Sequence, residues 1–373
     1  MANEDKATRY HRLQRRASLL ATISAAVLLL LLLVTGVSAA IREAVARTTG
    51  GAFVITVLGY VAIVFLLHEL LQLPFAYYQG VVLERRYELS TETRQHWWLN
   101  HLKAAAIGLA FAAAGGTLVM ALIRWSADWW WVAAAVAFIV ILVGIAQLAP
   151  VVLLPLFFDF KPLERPELVS RLVALAGRAG ARVVGVFEWR LSDRTRKANA
   201  ALAGIGRTRR ILLSDTLLAG HSDDEIEVIL AHELAHHVHR DIWSAIALET
   251  LLIGAGCLLA DRALSVFGGW FGLTGKGDVA ALPILLLAAG AVSILFLPVA
   301  NALSRSHERR ADRYALAMTR NADAFVTAMK RLAAQNLAEE QPPRFVEWLL
   351  HSHPSTQSRI DAARAWARGT PER

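Results

Sequence analysis

Six long apolar runs limit what this chain can fold into. Residues 18–40, 51–74, 104–123, 129 to 150 or 155, 242–267 and 282–303 are nearly free of charge and long enough to cross a bilayer as helices. Lipid offers backbone groups no partner, so each run must satisfy its own hydrogen bonds. The expected fold is therefore mainly α: a bundle of about six spans. A cleaved signal peptide competes for the first run, with Val37-Ser38-Ala39 as its cleavage site. The apolar core is longer than a signal requires, which favours an uncleaved span. Trp129-Trp130-Trp131 opens the fourth run and reads as an interfacial aromatic belt. Pro283 and Pro298 fall within the sixth, where neighbouring helices tolerate kinks.

The chain of 373 residues carries a net charge of +8. Its Arg-rich stretches are the N-terminus, residues 84–103, residues 156–241 and the C-terminal tail. The opposite loops carry only Arg42, Arg47, Arg124 and Lys276. The positive-inside rule then puts both termini in the cytoplasm. Topology accounts for the charge, and no nucleic-acid motif accompanies it, so no nucleic-acid partner is expected. Cys257 is the single cysteine, which excludes an intrachain disulfide and a cysteine metal cluster. It lies in an apolar run and reads as packing.

Between the fourth and fifth runs the chain turns polar. Residues 166–180 read as a helix; 183–189, 199–204 and 210–213 read as strands with turn residues between them. A helix from Asp224 to about His239 follows, and it contains His232-Glu233-Leu234-Ala235-His236. Positions i and i+4 share a helix face, so both imidazoles can meet one zinc ion. Glu233 flanks them, placed to take a proton from water. His68-Glu69-Leu70-Leu71-Gln72 starts alike but lacks the second imidazole, and reads as the polar inner end of a membrane helix.

Catalytic zinc usually takes a third protein ligand. His239 lies two turns beyond His232, roughly 10 Å along the axis, too far for one ion to bond both. His237 points to another face. Glu308 and Asp312 share a face of the helix that follows the sixth run. Two readings fit that spacing. Glu308 binds the metal while Asp312 accepts the free N–H of a ligand histidine; or the stretch is a solvated helix in which Arg309 and Arg310 pair with Asp312. A hairpin joins the fifth and sixth runs, which would bring the two helices together. The first helix is expected to run nearly straight into the fifth span.

Several stretches resemble the type I CAAX prenyl proteases, membrane-embedded zinc endopeptidases related to the bacterial heat-shock membrane protease. They are Leu73-Pro74-Phe75-Ala76-Tyr77-Tyr78 with Glu84; Ala149-Pro150 to Phe157 and Lys161-Pro162-Leu163; Lys197 to Ala200 with Ile211 to Leu217; Asn301 to Asp312; and Ser352-His353-Pro354 with Arg359. The resemblance covers most of the chain from about Leu73. It implies Glu308 as third ligand, Asp312 behind a ligand histidine, His353 as oxyanion stabiliser with His351 as competitor, and Asn199 on an edge strand that pairs with substrate. The chain departs from the family in having six spans where seven are usual, and Tyr87-Glu88-Leu89-Ser90 where Gly-Phe-Asn is typical.

The expectation is a zinc metalloendopeptidase with one ion, held by His232, His236 and Glu308, and with Glu233 and His353 catalytic. It would sit in a bacterial inner or plasma membrane and act on peptides or membrane proteins at the cytoplasmic face. Residues 1–155 would be a four-span region, 156–241 a small α+β catalytic segment, 242–303 a two-span hairpin and 304–373 a second catalytic segment. A membrane quality-control protease and a non-catalytic scaffold are the alternatives; a site-2-type intramembrane protease lacks its Asp-Gly motif here.

Overall fold

The computed structural model describes residues 5–204 and 209–369, the side chains at 149–151 excepted. The membrane region opens with α1 (Lys6–Val34), α2 (Val37–Thr48), α3 (Phe53–Tyr77), α4 (Glu84–Arg86), α5 (Arg94–Trp125) and α6 (Trp130–Val152). The polar part follows: α7 (Leu154–Phe157), β1 (Phe160–Pro162), α8 (Pro166–Arg178), β2 (Gly185–Trp189), β3 (Ala200–Ala203), β4 (Arg210–Ser214), α9 (Asp215–Gly220) and α10 (Asp223–Val238). Then come α11 (Asp241–Phe267), α12 (Leu282–Thr319), α13 (Ala322–Gln335), α14 (Arg344–Leu350) and α15 (Thr356–Ala367).

Among the described residues six helices are long and apolar enough to cross a membrane. Their outward faces are apolar: Leu31, Leu251 and Leu295 are all exposed, as a lipid-facing surface requires. The bundle interior is packed by Tyr60, Met120, Trp130 and Ala134 among others. Between the spans lies an apolar cavity of about 680 Å³, with His68, Glu249 and Ser293 among its few polar wall residues.

Several boundaries differ from the sequence reading. The first span stops at Val34; Gly36 adopts φ 73, and α2 starts afresh. Glycine reaches that left-handed conformation without a Cβ clash. The second span does not end near Pro74. It runs through a π-helical stretch, Tyr78–Leu83, to Arg86, because polarity marks where lipid ends rather than where the helix ends. Thus His68 is not at the helix end: it faces the cavity, and Glu69 pairs with His101 at 2.8 Å. Trp130 is not a belt residue. It is 2% exposed, and its Nε1 donates to Asp261 Oδ1 at 2.9 Å. Successive helical positions point about 100° apart, so three adjacent tryptophans cannot share one face. Pro283 does not kink the sixth span but sits in its first turn, where no N–H is needed.

The polar part holds a four-stranded sheet in the order β1-β2-β4-β3. β2 and β4 are parallel, with Gly185 opposite Arg210; β1 and β3 are antiparallel edges. β1 was not expected, being three residues long and ending in proline. The turn expected between β3 and β4 falls on residues 205–208, outside the described residues. α8 buries Leu168, Leu172 and Leu175 against the sheet and α10. Each such leucine contributes about 1.5–3 kcal/mol. α10 is clamped between this core and α12, which is what places its histidines.

Candidate metal centre

The start of α10 is set by a capping box. Ser222 Oγ accepts from the Glu225 N–H, and Glu225 Oε2 accepts from the Ser222 N–H at 2.8 Å. This Ser-x-x-Glu was legible in the sequence and went unread. The far end of α10 is set by Arg240, at φ 56. Contrary to the expectation, the helix does not run straight into the fifth span; this left-handed residue interrupts the two.

His232 and His236 stack edge to face, ring centres 5.0 Å apart. α12 brings Glu308 between them: Oε2 lies 3.3 Å from His232 Nε2, and Oε1 lies 3.4 Å from His236 Nε2. One ligand atom from each of the three residues lies within 4.8 Å of the others. Each imidazole turns its other nitrogen to a carboxylate. His232 Nδ1 is 2.9 Å from Asp312 Oδ1, and His236 Nδ1 is 2.8 Å from Asp241 Oδ2. With a proton held at each Nδ1, each Nε2 would be free to offer its lone pair to a cation beside Glu308. Arg359 grips Asp312 through Nε at 2.8 Å and Nη2 at 2.6 Å. Arg310 pairs with Asp241.

Glu308 Oε2 is buried and has no hydrogen bond of good geometry; its nearest polar neighbours are His353 Nδ1 at 2.8 Å and His232 Nε2 at 3.3 Å. A buried carboxylate oxygen left this way is costly, and a cation bound there would satisfy it. Burial alone lowers the His232 pKa, but Asp312 and Glu308 outweigh it and raise it to about 9. The negative field of the two carboxylates that raises it also favours a divalent cation. Two imidazole nitrogens and one carboxylate form a suitable donor set for zinc.

Glu233, half-buried, makes no hydrogen bond or ion pair among the described residues. Burial raises its pKa, against the pull of His232 and His236. His351 sits away from the cluster, its Nε2 3.8 Å from Glu339 Oε2. Asn199 immediately precedes edge strand β3, its N–H bonded to Ser214 Oγ at 2.9 Å. His239 caps back to the Ala235 carbonyl at 2.9 Å and takes no part. Asp241 and the Asp312–Arg359 pairing were not assigned from sequence.

Residues 162–367 match peptidase family M48, and residues 2–159 match the CAAX prenyl protease N-terminal region, described as five membrane helices. Among the described residues that region has four helices of spanning length plus α2, whose 12 residues are too short to cross. An uncharacterized metalloprotease, YhfN, of Bacillus subtilis is 32% identical over 89% of this chain and 78% of its own length. CAAX prenyl protease 1 of Saccharomyces cerevisiae is 29% identical over 79% of this chain and 69% of its own. The crystal structure of Ste24p from S. mikatae superposes with a TM-score of 0.84, covering 96% of this chain and 87% of that one at 22% identity, a likeness of fold.

Proposed function

The chain belongs to peptidase family M48, with a CAAX prenyl protease N-terminal region, and is a membrane metalloprotease; on that premise we propose that it is a zinc endopeptidase whose one ion is held by His232, His236 and Glu308. The observation that carries this is the convergence of the three donors, each histidine backed by its own carboxylate. A zinc ion bound there supplies a Lewis acid that polarises a carbonyl and acidifies water. Glu233 takes a proton from the attacking water and returns it to the departing amine nitrogen. His353, beside Glu308, donates to the oxyanion that forms on the scissile carbonyl. The free edge of β3, preceded by Asn199, offers backbone groups to an extended peptide. Asp312 and Asp241 hold the imidazoles in the reactive tautomer.

The proposed placement is the cytoplasmic face of a bacterial inner or plasma membrane, with both termini inside, because Lys and Arg gather on that side. The substrate would be a peptide or a membrane-protein segment. Residues 1–155 and 242–303 would hold the chain in the bilayer; 156–241 and 304–373 would supply the chemistry. The test is cleavage of a membrane-peptide library by purified protein, with Glu233→Gln as control. Loss of cleavage with metal content unchanged supports the roles given; equal cleavage by both forms rejects them.

A further inference from the structure

Beside the metal centre a cleft of about 490 Å³ opens between the N-terminal helix and the C-terminal segment. His353 and Arg359, which flank Glu308, line it. So do His11 and Arg15 of α1, with Glu339 and His351. The Glu339 side chain is 1% exposed. Its Oε2 is taken by Arg15 Nη1 at 2.7 Å, while His351 Nε2 stands 3.8 Å off. Its Oε1 is buried and has no hydrogen-bond partner. α1 is held in place independently, since His11 Nε2 bonds the Leu337 carbonyl at 2.9 Å.

A buried carboxylate oxygen without a donor is destabilising unless something completes it. Both arginines of the cleft are engaged, Arg15 by Glu339 and Arg359 by Asp312, which leaves Glu339 Oε1 as an acceptor without a donor. A carboxylate oxygen can pair only with a donor, so a ligand N–H fits it and a ligand carboxylate does not. We infer that this cleft is a specificity subsite of the protease, in which Glu339 Oε1 accepts a hydrogen bond from a substrate side chain ending in an ammonium or other N–H group. The subsite rests on the proteolytic reading above and adds a recognition rule to it. It also gives the cytoplasmic end of α1 a part in substrate choice, although α1 contributes nothing to the metal cluster.

The two partners of the ion pair separate recognition from mere structure. Removing Glu339 removes the acceptor. Removing the Arg15 charge leaves Glu339 uncompensated and strengthens its pull on a cation. A purely structural tie would respond alike to both changes. The experiment compares kcat/KM for synthetic peptides carrying lysine or norleucine at each position flanking the scissile bond in turn. Norleucine keeps the aliphatic stem and lacks the ammonium. At one position wild type is expected to favour lysine about tenfold, a charge-assisted hydrogen bond's worth. Glu339→Leu should bring that ratio near one, and Arg15→Gln should raise it. If Glu339→Leu does not fold, the rise in Arg15→Gln decides alone. A ratio near one at every position in wild type, or a fall in Arg15→Gln, overturns the subsite while peptide cleavage continues. Absence of cleavage of every peptide instead removes the proteolytic reading beneath it.

Discussion

His236 Nδ1 lies 2.8 Å from Asp241 Oδ2, across the interruption between α10 and α11. The two are five positions apart in sequence. A continuous helix would carry position 241 to another face; the left-handed Arg240 brings the carboxylate back. Asp241 is 6% exposed and also pairs with Arg310 of α12. One carboxylate thus orients a proposed metal ligand and ties its helix to the helix of Glu308.

Asp241→Ala should weaken metal binding by about 10–100-fold, the usual cost of losing a carboxylate behind a ligand histidine. Asp241→Asn can still accept the Nδ1–H and should cost less. Competition with a graded chelator measures both. Equal affinity in wild type and Asp241→Ala would show that the contact orients nothing.

The same residue shows what was legible beforehand. The apolar runs announced six spans because lipid imposes a length and a composition together. Their ends were harder to read: Glu84, Arg85 and Arg86 are polar yet helical. The paired histidines were plain from i+4 spacing, and the α11–α12 hairpin gave a reason to look at Glu308. Asp241 stayed hidden because an arginine does not announce a left-handed turn. The clasp of Arg359 on Asp312 stayed hidden because it joins positions 47 residues apart, a distance set by packing rather than by period. Trp130 was misread because an aromatic run tells nothing about which ring faces inward.

The structure separates the two histidines that competed for the oxyanion. His353 is beside Glu308, whereas His351 faces Glu339. His353→Ala should lower kcat by roughly 10²-fold with little change in KM, as for loss of one oxyanion donor. His351→Ala should leave kcat within about threefold. Steady-state kinetics on one cleavable peptide decides, and the reverse pattern would exchange their roles.

His221 gives a stability test away from the chemistry. It is 7% exposed, and its Nε2 is buried without a partner. Burial pushes its pKa down, partly offset by Glu225. A depressed histidine contributes stability above its unfolded value of about 6.5, and loses it as pH falls from there toward the folded value, because the unfolded chain binds the proton first. The thermal midpoint should therefore fall as the pH drops below about 6.5. His221→Leu removes the unpartnered nitrogen and should flatten that slope. An unchanged slope would place the acid sensitivity elsewhere.

Asp312 does two jobs that can be taken apart. It faces His232 Nδ1 at 2.9 Å and is gripped twice by Arg359. Arg359 is largely buried, with its side chain 15% exposed. Asp312→Leu should destabilise by about 3–5 kcal/mol, since it strands a guanidinium inside the protein. Adding Arg359→Met removes the stranded charge and should recover most of that stability. The double variant still lacks the carboxylate behind His232, so its metal affinity should stay about 10–100-fold below wild type. Thermal denaturation without added metal reads the first effect, and chelator competition the second. Recovery of both in the double variant would mean that Asp312 serves only to neutralise Arg359. Recovery of neither would mean that the pair is not the source of the instability.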